Sequence, residues 1–310
     1  MREGRQGPEG RTVMPYFPLR PSLYPLTPRS LGPSTTHRLV EICSRRGQDR
    51  FVLPGFMVAE ASADGPLIEL DRVEKRYDGS AAVVDATFRI MAGETFVLLG
   101  RSGSGKTTTL KMINRLVEPT AGTVRVFGKD VREHHAEELR RRIGYVIQQV
   151  GLFPHYSVRQ NVGVVPALLG WNEEQIRKRV DELLEKVGLP PPKFADKRPD
   201  ELSGGQQQRV GLARALAADP PIVLLDEPFG ALDPITRREM QREFVRLSGE
   251  LAKTMVLVTH DIAEAAMLGH RICLFESGRI EQIGRPDELR LNPKSDVVRV
   301  FFEAAREAGK

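Results

Sequence analysis

From about Leu67 onward the chain carries two kinds of apolar patterning. Leu67-Ile68-Glu69-Leu70 and Thr87-Phe88-Arg89-Ile90 alternate with period two, as antiparallel strands do when only one face is covered. Phe96 to Leu99, Ile222 to Leu225 and Met255 to Val258 are apolar throughout and bounded by turn or polar residues, the pattern of strands covered on both faces by helices. Ile176, Val180, Leu183, Leu184 and Val187 recur at helical spacing, and Gly188 with Pro190 to Pro192 supplies the stop. The spacing predicts a mostly parallel α/β core with an antiparallel β part and a helical insert, the insert spanning about residues 150–218. Before this region no period is sustained. Pro8, Pro15, Pro18, Pro21, Pro25, Pro28 and Pro33 punctuate an Arg- and Ser-rich stretch, which reads as an irregular arm over residues 1–65, with Met57 as an alternative start. Residues 286–310 alternate short helical segments with polar turns and are expected to form a helical tail behind a core unit of 66–285.

Candidate chemistry gathers at the ends of the three fully apolar runs. Gly100-Arg101-Ser102-Gly103-Ser104-Gly105-Lys106-Thr107 follows Phe96 to Leu99 and precedes a helix-like run from Thr108 to Val117. This is the Gly-x4-Gly-Lys-Thr spacing of a phosphate-binding loop. Its backbone N–H groups converge on phosphate oxygens, Lys106 reaches the β- and γ-phosphates, and Thr107 offers a hydroxyl to Mg²⁺. The run Ile222 to Leu225 ends in Asp226 and Glu227; Asp226 suits Mg²⁺, and Glu227 is placed to polarise a water attacking a γ-phosphate. His260 follows Met255 to Val258 through Thr259. Carried on a neighbouring parallel strand, it would meet Lys106 and Glu227 in one crevice as a γ-phosphate contact.

Ser203-Gly204-Gly205-Gln206 fits a Ser-x-x-Gln capping box for a helix through Val210, Leu212, Ala213 and Leu216. Capping accounts for Ser203 and Gln206. Gly204 and Gly205 suggest a helix N-terminus bare enough for a phosphate to approach. With one phosphate loop already in the chain, this second anion site is expected to serve nucleotide held by another copy.

Composition narrows the partners. No run of 18 or more apolar residues exists, so a membrane role has to pass through a separate subunit. Two cysteines, Cys43 and Cys273, are too few for a disulfide framework or a cysteine zinc site. The formal charge of +5 invites nucleic acid, but many Arg residues lie in the irregular arm and the rest are interspersed with Asp and Glu, so no nucleic-acid partner is expected.

These residues, in this order, make the chain resemble, from about residue 67 to 285, the nucleotide-binding subunit of an ATP-binding cassette (ABC) transporter. The resemblance implies a phosphate-loop NTPase fold of the ABC type. It implies that Tyr77 stacks on adenine, that residues Gly100 to Thr108 bind ATP, and that Gln148 contacts Mg²⁺ and senses the membrane partner. Gln149 is the alternative to Gln148, and the fit of Gly144-Tyr145-Val146-Ile147-Gln148 favours the latter. It further implies that Ala231-Leu232-Asp233 crosses the interface of a head-to-tail homodimer, each ATP lying between one phosphate loop and the partner's copy of residues 203–206. Transmembrane permease subunits, an indirectly coupled substrate-binding protein and a peripheral place on the cytoplasmic face of a bacterial membrane follow from the family.

Thr109 to Leu116, Tyr145 to Gln149, Gly151 to His155 and Ala217 to Pro221 resemble more narrowly the ATPases of glycine betaine, carnitine and choline importers. An importer of another small solute, such as a polyamine, a sulfonate or an amino acid, shares every catalytic residue; a non-transport ABC ATPase is the reading from another class. Many of the betaine-type ATPases carry paired CBS modules after the cassette. Only some twenty-five residues follow Gly284 here, and regulation through such modules is not expected.

Overall fold

The computed structural model describes residues 65–308; the expected irregular arm and the alternative start at Met57 lie outside them. Two sheets form the framework. Strands β1 (Ile68–Tyr77), β2 (Ser80–Ile90), β4 (Ala121–Val126) and β5 (Lys129–Asp130) make an antiparallel sheet in the order β2-β1-β4-β5. The second sheet holds β3 (Thr95–Gly100), β6 (Ile143–Val146), β7 (Ile222–Asp226), β8 (Thr254–Thr259), β9 (Arg271–Glu276) and β10 (Arg279–Gly284), in the order β10-β9-β3-β8-β7-β6. All its pairings are parallel except the hairpin of β9 with β10.

The continuous apolar runs are explained by this arrangement. On β3, Val97 and Leu99 enter one core while Phe96 and Leu98 enter another. Val223 and Leu225 oppose Ile222 and Leu224 on β7 in the same way, as do Met255 and Leu257 against Val256 and Val258 on β8. One core lies between the two sheets with helix α1 (Lys106–Ile113) and takes in Leu139; the other is built with the helices from Val158 onward. On β1 and β2, alternation is legible only near one end, because register shifts interrupt the pairing after Leu70 and Arg72 has a left-handed backbone (φ 48°).

Helix α1 is shorter than the run to Val117 suggests. Arg115 is left-handed (φ 47°), its N–H donates to Met112 O, and Leu116 N–H donates to Lys111 O at 2.8 Å, a closure that caps the helix four residues early. The short α2 (Ala136–Arg141) follows. The predicted insert consists of α3 (Val158–Leu168), α4 (Glu173–Lys186), α5 (Pro191–Phe194) and α6 (Gly204–Leu216). Val180, Leu183 and Leu184 are the buried face of α4. Helices α7 (Pro234–Leu251) and α8 (Ile262–Leu268) follow β7 and β8, and α9 (Pro286–Leu291) and α10 (Asp296–Ala308) form the helical end of the described chain.

Candidate functional site

β3, β8 and β7 are adjacent and parallel, with Leu99 opposite Thr259 and Asp226 opposite Val258. Their carboxyl ends therefore deliver the phosphate loop, His260 and Asp226-Glu227 to one edge of the sheet, the crevice in which open α/β sheets bind ligands. The loop is built for close backbone approach. Gly105, which precedes α1, has φ 104°, and a Cβ there would lie 2.4 Å from Ala82 O. No side chain caps the N-terminus of α1 and no acid lies in its first turn, so its N–H groups and the positive end of its dipole are left for an anion.

Lys106 is 4% exposed and donates to Arg101 O at 2.7 Å and Ser104 Oγ at 3.4 Å. Burial lowers its pKa against the opposing pull of Glu227 and Asp226. Thr107 Oγ1 donates to Asp226 Oδ1 at 2.8 Å, which brings together two of the residues expected at a metal. Burial raises the pKa of Asp226, countered by the Thr107 hydroxyl. A carboxylate and a hydroxyl are the hard oxygen donors Mg²⁺ takes. Among the described residues no group of three or more His, Cys, Asp or Glu could hold a metal. The donors present therefore fit an ion that draws its other ligands from phosphate and water, which is how Mg²⁺ binds with nucleotides.

Glu227 stands just beyond β7 with a left-handed backbone (φ 46°), and its N–H donates to Val258 O at 3.1 Å. Such a conformation is costly for a residue with a side chain and collects at functional sites. Glu227 Oε2 accepts from Gln148 Nε2 at 3.2 Å and lies 3.5 Å from His260 Nδ1. The structure thus joins Gln148 to the carboxylate. The side chain of His260 is 56% exposed and that of Glu227 16%, so both reach into the crevice from a fixed base. Tyr77 ends β1 and is 45% exposed, and Lys75 Nζ lies 4.9 Å from its ring centroid.

The Ser203–Gln206 segment stands apart from this cluster. Its capping box is complete: Gln206 N–H donates to Ser203 Oγ at 3.3 Å, and Ser203 N–H donates to Gln206 Oε1 at 3.0 Å. Among the described residues no hydrogen bond joins it to residues 100–107. The two glycines part ways. A Cβ on Gly204 would meet nothing within 4 Å, whereas one on Gly205 would lie 2.5 Å from Thr236 Cγ2. Gly205 therefore has a packing reason to be glycine, which the bare-terminus reading did not include. Asp233 caps α7, accepting from the N–H groups of Ile235 and Thr236 at 3.1 Å each.

Sequence reasoning missed Tyr145, Gln241 and Glu264. Burial, then the charge of Asp226, pushes the Tyr145 phenol far up, which sets it beside the carboxylate expected at the metal. Its only sequence signal was its place within Gly144 to Gln148. Gln241 and Glu264 are buried polar residues on α7 and α8 and have no local signal.

Comparison with known proteins accords with this geometry. The ABC transporter family model matches residues 83–230. The glycine betaine uptake system ATP-binding protein YehX of Escherichia coli K12 is 50% identical over 236 residues, 76% of each chain. The choline transport ATP-binding protein OpuBA of Bacillus subtilis strain 168 is 50% identical over 241 residues, 77% of this chain and 63% of that protein. The chain thus spans about three fifths of the length of that relative. Among solved structures, the post-hydrolysis dimer of an ATP-binding cassette bound to ADP and Pi superposes with a TM-score of 0.64 at 37% identity, covering 71% of this chain and 98% of that one.

Proposed function

The chain belongs to the ATP-binding proteins of ABC transporters, and on that premise we propose that it hydrolyses ATP as one half of a homodimer that powers import of a quaternary ammonium osmoprotectant through separate transmembrane subunits. The observation that carries the ATPase reading is the meeting of Thr107 with Asp226, and of Glu227 with Gln148 and His260, at the ends of three adjacent strands. Gly100 to Thr108 hold the triphosphate, Lys106 leaves its loop acceptors for phosphate oxygens, and Tyr77 supports the adenine. Thr107 and Asp226, with Gln148 nearby, would hold Mg²⁺, which would neutralise charge on the phosphate oxygens. Glu227 orients a water toward the γ-phosphorus and draws its proton as the bond to the bridging oxygen breaks, giving ADP and phosphate. His260 donates to the γ-phosphate. The partner's copy of Ser203, Gly204, Gly205 and Gln206 closes the site from the other side, with Asp233 on the shared interface.

No helix among the described residues is long and apolar enough to cross a membrane, which agrees with a peripheral subunit at the cytoplasmic face working beside permease subunits and, through them, a substrate-binding protein. The substrate class rests on the relatives named for glycine betaine and choline transport.

Glu227→Gln tests the reading. The amide keeps the shape and loses the charge that polarises water, so the variant is expected to bind Mg-ATP, to lose nearly all turnover and to elute as a dimer on size exclusion only when Mg-ATP is present. Turnover near the wild-type rate would remove Glu227 from the catalytic role.

A further inference from the structure

Behind Glu227 and His260 three polar side chains from three elements are buried together. Glu264 on α8 is 6% exposed, Thr259 at the end of β8 is 2% exposed, and Gln241 on α7 is 9% exposed. Gln241 Nε2 donates to Glu264 Oε1 at 2.9 Å, and Thr259 Oγ1 donates to Glu264 Oε2 at 2.6 Å. The same Thr259 oxygen accepts from the backbone N–H of Asp261 at 3.0 Å. Asp261 in turn caps α8, accepting from the N–H groups of Ala263 and Glu264 at 2.7 and 3.1 Å. His260 lies between the two residues whose backbone and side chain this chain of bonds immobilises. Its own side chain is more than half exposed, so packing alone does not fix it.

A carboxylate taken from water is a poor way to fill a core. Apolar residues of similar volume are commonly neutral or stabilising in its place, and burial works against the Glu264 charge here. What the carboxylate supplies that an apolar residue cannot is direction: two acceptors aimed at partners on two different elements. One partner is the strand end that bears His260. The other is Gln241, about two turns into the helix that Asp233 caps. A cavity of about 10 Å³, bordered by Glu227, His260, Arg237 and Glu264, lies between the network and the reacting groups.

We propose that Glu264 is a positioning residue for hydrolysis: through Thr259 it sets the turn that holds His260 beside Glu227, and through Gln241 it ties that turn to helix α7, so that the placement of His260 follows the helix beginning at Asp233. The proposal rests on the reading of Glu227 and His260 as the hydrolytic pair.

Steady-state ATP hydrolysis by the full chain tests it. Thr259→Val keeps the shape and removes the hydroxyl; kcat is expected to fall roughly ten- to a hundredfold, the scale of a misplaced catalytic group, with KM for ATP changed less than about twofold. Thr259→Ser, which retains the hydroxyl, is expected to recover most of that rate, and Gln241→Met to show a smaller loss of kcat at unchanged KM. In a His260→Ala background Thr259→Val is expected to cause no further loss, because the group it positions is gone. Multiplicative losses in that background, a loss carried by KM, or a Ser variant as slow as the Val variant each overturn the proposal while leaving the assignment of His260 intact. A His260→Ala protein that hydrolyses at the wild-type rate overturns that assignment and the proposal with it. Should Thr259→Val fail to fold, Glu264→Gln, of the same shape, gives the same comparison in the two backgrounds.

Discussion

Asp226 holds its charge against its surroundings. It is 4% exposed, and burial raises its pKa above the ordinary carboxylate value. Over the interval between the unfolded value and the raised folded one, the native state keeps a proton that the unfolded chain has released. Stability therefore falls as pH rises through that interval and stays lower above it. Asp226→Asn removes the penalty and preserves an oxygen for Thr107. The nucleotide-free variant is expected to melt about 2–4 °C higher at neutral pH, equivalent to about 1 kcal/mol in a domain of this size, and to lose the corresponding pH dependence; Mg-dependent hydrolysis is expected to be lost with it. Calorimetry across the acid range checks the first part, and an unchanged melting temperature would count against a destabilising charge. Tyr77→Ala is expected to weaken ATP and GTP binding alike, by about 1–3 kcal/mol, since stacking is indifferent to the base; equal titrations for variant and parent would leave Tyr77 as a strand residue only. Residues such as Lys106, Asp226 and His260 were legible because a fixed spacing or a strand end announces them. Gln241 and Glu264 were not, since they meet across 23 positions and each looks, on its own helix, like a solvated polar residue.

At the level of elements, strands covered on both faces could be read from their unbroken apolar runs, and Ile272 to Phe275 of β9 is a further run of that kind that was not counted with them. β6 could not be read this way, because Gly144 and Tyr145 interrupt it. Helix α7 was hidden for a related reason. Only Met240, Gln241, Phe244 and Leu247 are buried along its eighteen residues, too narrow a stripe amid Arg and Glu to stand out. That helix meets α6 where Gly205 faces Thr236. Gly205→Ala drives a methyl against the Thr236 methyl, and a loss of about 1–3 kcal/mol is expected from overpacking. Thr236→Ser removes the opposing methyl and is expected to restore much of that stability in the double variant. Thermal melts of the two single variants and the pair decide the matter: a Gly205→Ala protein as stable as its parent would return Gly205 to the phosphate-approach role alone.

For the whole molecule, relatedness suggests the transported solute and the site chemistry suggests the energy source, and these are separable in cells. A strain lacking this chain is expected to lose uptake of labelled glycine betaine, choline or carnitine, and complementation is expected to need both Glu227 and Ser203, because in the proposed homodimer each closed site would draw one from each copy. Normal uptake of all three alongside loss of an unrelated solute would reject the substrate class and leave the ATPase standing.

The setting of β3 bears on how such a machine can move. The strand is hydrogen-bonded along both edges, to β8 and β9, and its side chains are locked into cores on both faces. Its amides belong with those that exchange hydrogen only through global opening. A phosphate loop mounted there cannot recoil into the sheet when its cargo changes. It behaves as an anvil, and a stroke is to be sought in parts held less deeply, among them the helix that starts at Asp233, which buries only Met240, Gln241, Phe244 and Leu247.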